Sequence, residues 1–268
     1  MFCTPMHKVA LITGGRSGIG LATAKALSAA GYRVYEMSRR AAENESILHL
    51  NGDVTKPEDA HRVAAQIMDT EGRLDLLINN AGFGISGAVE FTATEDAHRQ
   101  LEVNFFGMCN LCQAVIPYMR AAGHGRIINL SSVAAAIPIP FQTYYSVSKA
   151  AINAYTLGLA NELRPYGVSV CAVMPGDIKT GFTAARKKEI QGDDIYHGRI
   201  ARSVGRMERD EEGGMQPEAV AKKIVRLAKK RRIKALYSIR IDYQLFVILS
   251  RILPVRLLNW VVYLLYAR

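Results

Sequence analysis

Cysteine is scarce in this chain, which has only four in 268 residues, and these follow no regular spacing. The sequence therefore excludes a small secreted fold held by disulfides and favours a reducing cytosol. The first predicted strand starts so near the N-terminus that the residues before it are too few and too polar for a secretory signal. No uncharged apolar run reaches the roughly 18 residues that a membrane-spanning helix needs.

Patterns for metal and nucleic-acid binding are also missing. The six histidines are scattered without an HExxH pattern. The pair Cys109 and Cys112 lies inside a predicted helix and has no second pair, so both thiols are interpreted as core residues. No metal site is predicted. No recognisable nucleic-acid-binding module accompanies the basic residues, so a nucleic-acid partner is not expected.

Acidic residues are few in the last third of the chain. The net charge is +10, and residues 179–268 hold 20 Lys and Arg against 9 Asp and Glu, whereas residues 1–178 are nearly balanced. Such asymmetry is typical of proteins with an anionic partner, such as a membrane surface or a phosphorylated substrate. A basic face that only keeps the protein soluble fits equally well.

What the chain has in abundance is an alternation of strands and helices. Apolar β-rich runs recur with helical stretches between them, and they end in a further strand, KALYSI. This spacing predicts an α/β fold with a doubly wound parallel sheet, Rossmann-like and in a single domain. We expect a catalytic domain over 1–243, followed by an apolar helical extension, 244–268. The predicted strands are 8–13, 33–37, 47–55, 74–78, 126–130, 169–174 and 234–239.

A glycine-rich turn, TGGRSGIG, follows the first strand directly and leads into a helix predicted over 21–31. Strand, turn and helix in this order are the context in which a glycine pattern predicts dinucleotide binding. Gly14, Gly18 and Gly20 allow a tight turn and a close approach to a pyrophosphate. The N-terminus of the helix supplies N–H donors and the positive end of its dipole.

The end of the second strand bears on the choice of cofactor. In dinucleotide folds an acid at this point binds the adenine ribose. Ser38 stands at that position, Arg39 follows it, and Arg16 lies in the glycine turn. Two guanidiniums without a carboxylate suit a 2′-phosphate, so NADP(H) is favoured over NAD(H). Glu36 counts against this prediction, because it lies two residues earlier on the same face of the strand.

A tyrosine and a lysine four residues apart follow the strand RIINL and its closing serines. Tyr145 and Lys149 leave the same face of a predicted helix. A free phenol has a pKa of about 10, and an ammonium about 4 Å away would lower it by about 3 units. That change brings the phenol near the range of efficient general acid–base catalysis. Ser132 could hydrogen-bond the reacting oxygen. A chance pair on a surface helix has the same spacing.

Taken together, these residues resemble the short-chain dehydrogenase/reductase family. The resemblance rests on TGGRSGIG, Asn79-Asn80-Ala81-Gly82, Asn104, Ser132, Tyr145-xxx-Lys149 and Pro175-Gly176, and covers residues 8 to about 180. It implies that Tyr145 is the catalytic acid/base and that Ser132 holds the substrate oxygen. It further implies that Lys149 lowers the tyrosine pKa and binds the nicotinamide ribose, and that Asn104 holds Lys149 through a water.

The predicted cofactor-binding set joins the glycine turn, the end of the second strand and the family positions. The family implies that Asp53 and Val54 lie at the adenine, and that Pro175 and Gly176 border the nicotinamide. The full set is Gly14, Arg16, Ser17, Gly18, Ile19, Gly20, Ser38, Arg39, Asp53, Val54, Asn80, Ala81, Gly82, Tyr145, Lys149, Pro175, Gly176, Ile178 and Thr180.

Two segments after the family motifs bear on the substrate. Residues 176–215 are polar and are predicted to form a loop, which in this family closes over the substrate. A helix over 217–232 follows. The tail 244–268 is predicted to form two short apolar helices around Pro254. Three interpretations of it stay open: a wall of the substrate pocket, an oligomer contact, or a membrane-interface segment with Trp260 at headgroup level.

The sequence thus predicts an NADP(H)-dependent oxidoreductase that interconverts a carbonyl and a secondary alcohol. A lipophilic substrate is expected, such as a steroid, a retinoid, a sphingoid base or an acyl ketone. The alternative is a cofactor-binding interaction or membrane-associated protein with weak or no turnover. The expected partners are the small-molecule substrate and further copies in a dimer or tetramer. The expected location is the cytoplasm, with peripheral membrane contact through 244–268 as an open option.

Overall fold

The computed structural model describes residues 7–40 and 46–268. Residues 1–6, where the sequence predicts no secretory signal, lie outside the described part. Seven strands form one parallel sheet in the order β3-β2-β1-β4-β6-β7-β9, and β5 pairs with β8 in a small separate sheet. The strands are β1 (Lys8–Thr13), β2 (Tyr32–Ser38), β3 (Leu48–Asn51), β4 (Leu76–Asn79), β5 (Ile85–Ser86), β6 (Gly125–Leu130), β7 (Val168–Met174), β8 (Lys187–Lys188) and β9 (Leu236–Ser238).

Helices cover both faces of the sheet, and the alternation of side chains along each strand explains why. Val9 and Leu11 pack with α2, α4 and α5, whereas Ala10 and Ile12 pack with α1 and α8. A strand buried on both faces is expected to be apolar throughout, as β1 is. The helices are α1 (Gly18–Ala29), α2 (Pro57–Glu71), α3 (Thr94–Leu101), α4 (Gly107–Ala122), α5 (Thr143–Glu162), α6 (Phe182–Ala185), α7 (Arg199–Glu212), α8 (Pro217–Lys229), α9 (Ile241–Ile252) and α10 (Val255–Tyr266).

The predicted doubly wound parallel sheet is confirmed, including the closing strand β9. The chain runs outward from β1 to β3 and then returns to β4 on the other side of β1. Ligands of such sheets bind outside the carboxyl ends of the strands, where the winding direction reverses. In this sheet the winding direction reverses between β1 and β4. The predicted glycine turn follows β1, and the predicted Asn-Asn-Ala-Gly motif lies at the end of β4.

Two predicted segments differ from the structure. The helix predicted over about 95–121 is divided into α3 and α4 by a π-helical turn, Glu102–Phe106, and such turns are frequent at functional sites. The loop predicted over 176–215 is wrong in part, because it contains α6, β8 and the long helix α7. Ile200, Val204 and Met207 form a buried stripe on α7, but the many charges around them concealed it in the sequence.

The tail forms two helices, α9 and α10, which Pro254 separates as predicted. No helix in 7–40 or 46–268 is long and apolar enough to cross a membrane. The division of the chain into 1–243 and 244–268 stays a prediction.

Candidate active site

The glycine turn is folded tightly against the end of β4. Gly14 has a φ of +66°, in the left-handed region that favours glycine. A Cβ atom on Gly20 would come 2.2 Å from the carbonyl oxygen of Gly14. Asn80 Nδ2 donates to the carbonyl oxygens of Thr13 and Gly14, at 3.0 and 3.1 Å. The turn therefore leaves a narrow backbone cradle at the start of α1, of the kind that holds a pyrophosphate.

Thr13 supports this cradle, although the sequence analysis did not select it. Its buried Oγ1 accepts hydrogen bonds from the backbone N–H groups of Asn80 and Ala81, both at 3.0 Å. One hydroxyl at the end of β1 thus fixes the turn after β4. In the sequence, Thr13 could have been recognised by its position between an apolar strand and two glycines.

All nineteen predicted cofactor-binding residues line one cavity of about 1120 Å³ at the carboxyl ends of the strands. Arg16, Arg39 and Arg40 are exposed at its rim. Asp53 reaches it from the turn after β3, where its Oδ1 accepts from Thr55 N and Thr55 Oγ1.

Glu36, the acid that counted against NADP(H), does not face this rim. It is buried, and His49 Nδ1 lies 2.6 Å from its Oε2. A Cβ atom on Gly15 would come 2.4 Å from its Cγ, so the side chain lies beneath the glycine turn. The rim therefore presents arginines, and Glu36 is held away from it.

Ser132, Tyr145 and Lys149 line the same cavity at its inner end. Lys149 is buried, and its Nζ donates to the carbonyl oxygen of Leu130 at 2.8 Å and lies 5.6 Å from the centre of the Tyr145 ring. Removal of water lowers the pKa of this ammonium to about 8. Ser132 Oγ accepts from Ala134 N at 3.1 Å and lies close enough to the tyrosine hydroxyl to lower its pKa.

The pKa of Tyr145 is raised in this structure, whereas the sequence predicted a lowering by Lys149. Burial of the hydroxyl raises the tyrosine pKa to about 12, because the phenolate loses its hydration. The hydrogen bond with Ser132 and the charge of Arg186 act in the opposite direction, and the acids Glu211 and Asp177 raise the pKa further. Tyr145 is therefore protonated over the working range of most enzymes and is set up to donate a proton.

Asn104 lies behind the cavity wall. It occupies the π-helical turn, where its Oδ1 accepts from Phe83 N at 2.9 Å and its Nδ2 donates to Ser148 Oγ at 3.1 Å. A Cβ atom on Gly82 would lie 3.0 Å from Asn104 Oδ1 and 3.8 Å from Lys149 Nζ. Asn104 is thus placed beside the lysine and tied to its helix; a water between them stays a prediction.

A chain of buried amides holds α5 against the strands. Asn79 Nδ2 donates to Asn129 Oδ1 at 2.9 Å, and Asn129 Nδ2 donates to Thr156 Oγ1 at 3.0 Å. Ser131 Oγ donates to the carbonyl oxygen of Lys149 at 3.1 Å. Buried polar groups of this kind rigidify a site when they are paired. Sequence reasoning noted only Asn79 and Ser131, and it could not pair residues from distant strands.

The tail closes the opposite side of the cavity. A Cβ atom on Gly176 would come 2.1 Å from the ring of Tyr243, which therefore packs flat on the glycine. Tyr243 OH donates to Asp177 Oδ2 at 2.6 Å, and Tyr266 OH donates to Asp210 Oδ2 at 3.2 Å. These hydrogen bonds attach α9 and α10 to the segment 176–215. The side chains of α9 and α10 that line the cavity are Tyr243, Phe246, Leu258, Val261, Val262, Leu265 and Tyr266.

Cys109 and Cys112 do not line this cavity. Cys112 is fully buried in the core cluster, and Cys109 packs against it. Burial raises the thiol pKa values to about 11 for Cys109 and about 12 for Cys112. The interpretation of both as core residues agrees with their positions.

A parallel sheet with a glycine cradle and arginines at its rim defines a Rossmann-like nucleotide-binding protein. The family model described as short chain dehydrogenase matches residues 8–191. The chain belongs to the short-chain dehydrogenase/reductase family of oxidoreductases.

Two curated relatives and one solved structure illustrate the similarity. A 3-ketodihydrosphingosine reductase of Bacteroides thetaiotaomicron is 41% identical over 227 residues, which is 84% of each chain. A probable short-chain type dehydrogenase/reductase, VdlC, of Helicobacter pylori is 34% identical and covers 92% of this chain and 93% of its own. The crystal structure of a short-chain dehydrogenase from Streptomyces avermitilis superposes with a TM-score of 0.81 at 31% identity, covering 91% of this chain and 92% of the other.

Proposed function

We propose that the protein is an NADP(H)-dependent reductase of long-chain ketones, with 3-keto sphingoid bases as the preferred class. One observation carries the proposal. The cavity has Ser132, Tyr145 and Lys149 at its inner end, and apolar side chains of α9 and α10 form part of its wall. Such a shape suits a carbonyl on a long apolar chain, and the name of the Bacteroides relative is in keeping with that substrate.

The residues of the inner end can perform a carbonyl reduction. The nicotinamide, when bound, supplies the hydride that goes to the carbonyl carbon. Ser132 and Tyr145 would donate hydrogen bonds to the carbonyl oxygen, where negative charge develops. The proton of Tyr145 then passes to that oxygen, so that the carbonyl becomes a secondary alcohol. Lys149 would hold the ribose and keep a positive charge near the resulting phenolate.

The cofactor preference is proposed from the rim of the cavity. Arg16, Arg39 and Arg40 stand where a 2′-phosphate would lie, and Glu36 is engaged by His49 beneath the glycine turn. The glycine cradle suits a dinucleotide pyrophosphate because the absence of a side chain on Gly20 lets the start of α1 approach the backbone of Gly14. NADP(H) is therefore proposed over NAD(H).

For Arg39→Ala we expect kcat/KM with NADPH to fall by about tenfold or more, because a charge-assisted hydrogen bond is lost. The value with NADH should hardly change. The backbone of Arg39 stays in place, since its carbonyl oxygen accepts from Asn51 Nδ2 at 3.1 Å. Steady-state kinetics with both cofactors measure this, with the exposed Arg164→Ala as control. Equal kcat/KM values for the two cofactors in the parent protein would refute the preference.

Asp177 favours an amino ketone within this substrate class. A 3-keto sphingoid base carries an ammonium on the carbon beside its ketone. Asp177 lines the cavity, follows Gly176 directly, and its charge acts on Tyr145. Burial raises the pKa of this carboxyl, and no ion pair joins it to Lys or Arg in the described part of the chain. A half-buried carboxylate next to the reacting carbonyl would bind the ammonium.

In Asp177→Asn we expect KM for a long-chain 2-amino-3-ketone to rise by about tenfold or more, because the amide cannot neutralise the ammonium. KM for a ketone of equal length without the amine should change little. The amide oxygen can still accept from Tyr243 OH, so the attachment of α9 is kept. Equal changes for both ketones would show that Asp177 acts on structure and not on the amine.

NADPH consumption tests the proposal as a whole. The panel consists of a long-chain amino ketone, a long-chain simple ketone and a small ketone. We expect the highest kcat/KM with the first and the lowest with the last. A protein that binds NADPH but consumes none with any of them would instead be the cofactor-binding alternative. The cytoplasmic location and the homo-oligomer remain part of this proposal.

A further inference from the structure

The tail has a second apolar face, which points away from the cavity. Val247 and Val262 are buried on the inner side of α9 and α10. The outer side chains are largely exposed: Ile241 by 84%, Ile248 by 54%, Ile252 by 72%, Val255 by 70%, Trp260 by 58% and Tyr263 by 44%. We call these six residues the tail face. A contiguous apolar surface of this kind marks a contact site.

The charges on α9 and α10 are mostly positive, because the one acid, Asp242, is already paired with Arg240 at 2.6 Å. Residues 243–268 contain no Asp or Glu but three arginines, Arg251, Arg256 and Arg268, and all three are exposed. The basic run 229–234 does not belong to this surface. It precedes β9, whereas α9 follows β9, so the run lies at the amino ends of the strands and α9 begins at their carboxyl ends. The complementary partner of the tail face is therefore apolar and anionic.

The tail face is continuous with the mouth of the cavity. Phe246, Val261 and Leu265 line the cavity and are also exposed by 51%, 37% and 40%. The same two helices thus form the cavity wall and the exposed surface. A lipophilic molecule in contact with the tail face could reach Tyr145 without crossing water.

We infer that α9 and α10 dock on the surface of an anionic lipid bilayer, through which the long-chain substrate enters the cavity. The tail face would lie at the acyl boundary, with arginines at the phosphates and Trp260 and Tyr263 at headgroup level. Each helix has 12 residues and is about 18 Å long, too short for a hydrocarbon core of about 30 Å. The helices therefore lie on the bilayer.

A second copy of the chain is a poorer occupant of the tail face. A two-fold contact would bring Arg251 and Arg256 of both copies to one interface. The one acid of α9 and α10, Asp242, is already paired with Arg240, and like charges at an interface oppose association. An anionic bilayer meets both the apolar side chains and the arginines.

Co-sedimentation with vesicles of phosphatidylcholine, with and without phosphatidylglycerol, tests docking without any substrate. The parent should bind the anionic vesicles, and added salt should release part of it. Ile252→Glu with Trp260→Glu should weaken binding by about tenfold or more. Ile190→Glu with Ile195→Glu is the matched control, because these isoleucines are exposed by 64% and 61% outside the tail and the change in net charge is the same.

Arg251→Gln with Arg256→Gln should weaken binding to anionic vesicles by about tenfold and leave weak binding to neutral vesicles unchanged. A parent that binds neither kind of vesicle would overturn the inference, as would equal losses in the tail and control variants. A change of mass in solution for the tail variant, without vesicle binding by the parent, would assign the tail face to a second copy.

Entry from the bilayer rests on the proposed function, and docking does not. With a long-chain ketone in anionic vesicles, the Ile252→Glu, Trp260→Glu variant should lose about tenfold in rate relative to the parent. With a water-soluble short-chain ketone the two should be equal. Failure of every ketone in both proteins would refute the proposed function and leave the vesicle result standing. Equal rates with vesicle-borne ketone would refute entry from the bilayer.

Discussion

Replacing Tyr145 by phenylalanine should lower kcat for carbonyl reduction by at least about a thousandfold. A positioned general acid contributes about 10² to 10⁴ to a rate, and here the hydroxyl is also a hydrogen-bond donor to the developing oxyanion. Its pKa of about 12 means that the parent carries this proton at any pH below that value. The loss should therefore be seen across the whole accessible pH range. Initial rates of NADPH consumption with a long-chain ketone measure it.

The same variant should bind NADPH almost as the parent does. The ring stays, so its tilted contact with Phe182, with centroids 5.7 Å apart, is kept. Tyr144→Phe is the matched control, because it removes a neighbouring hydroxyl that does not line the cavity, and it should keep the parental rate. Turnover of Tyr145→Phe within tenfold of the parent would assign the proton to another group. Loss of NADPH binding would mean that the hydroxyl holds the cofactor or the fold.

The fold was predictable from the sequence because its signals are local. The central strands β1, β4, β6 and β7 are largely apolar runs buried on both faces, and Pro57 and Pro217 begin α2 and α8 as proline at a first turn should. The glycine turn was equally readable, because few side chains fit a turn where a Cβ atom would meet backbone at 2.2 Å. These features depend on residues close together in the chain.

What the sequence could not supply are distances between remote residues and the effects of burial. The pKa of Tyr145 depends on loss of water and on Arg186, Glu211 and Asp177, which come from three separate segments. Spacing alone predicted the opposite direction. The pairing of Tyr243 with Asp177 joins residues 66 positions apart. The sequence therefore allowed three roles for the tail. Only its packing in the structure shows that the tail lines the cavity.

Gly20→Ala should weaken NADPH binding by about a hundredfold and destabilise the fold. The added methyl would lie 2.2 Å from the carbonyl oxygen of Gly14 and 2.5 Å from Asn80 Nδ2. Neither is the end of a flexible side chain, because Asn80 is held by Thr13 and Gly14. Overpacking of this kind costs about 1 to 3 kcal/mol. The turn would have to open, and its N–H groups would leave the position of the pyrophosphate.

Gly158→Ala is the control that separates this clash from the general effect of the substitution. Gly158 lies within α5, and a Cβ atom there would meet nothing within 4 Å. Alanine should stabilise that helix by up to about 1 kcal/mol and leave NADPH affinity unchanged. Fluorescence titration with NADPH and urea unfolding of both variants and the parent measure the two effects. If Gly20→Ala bound NADPH as tightly as the parent, the close approach of α1 to the glycine turn could not be what forms the cradle. If Gly158→Ala keeps the parental NADPH affinity and Gly20→Ala loses it, the cradle depends on the contact of Gly14, Gly20 and Asn80. At that contact the backbone leaves no room for a side chain.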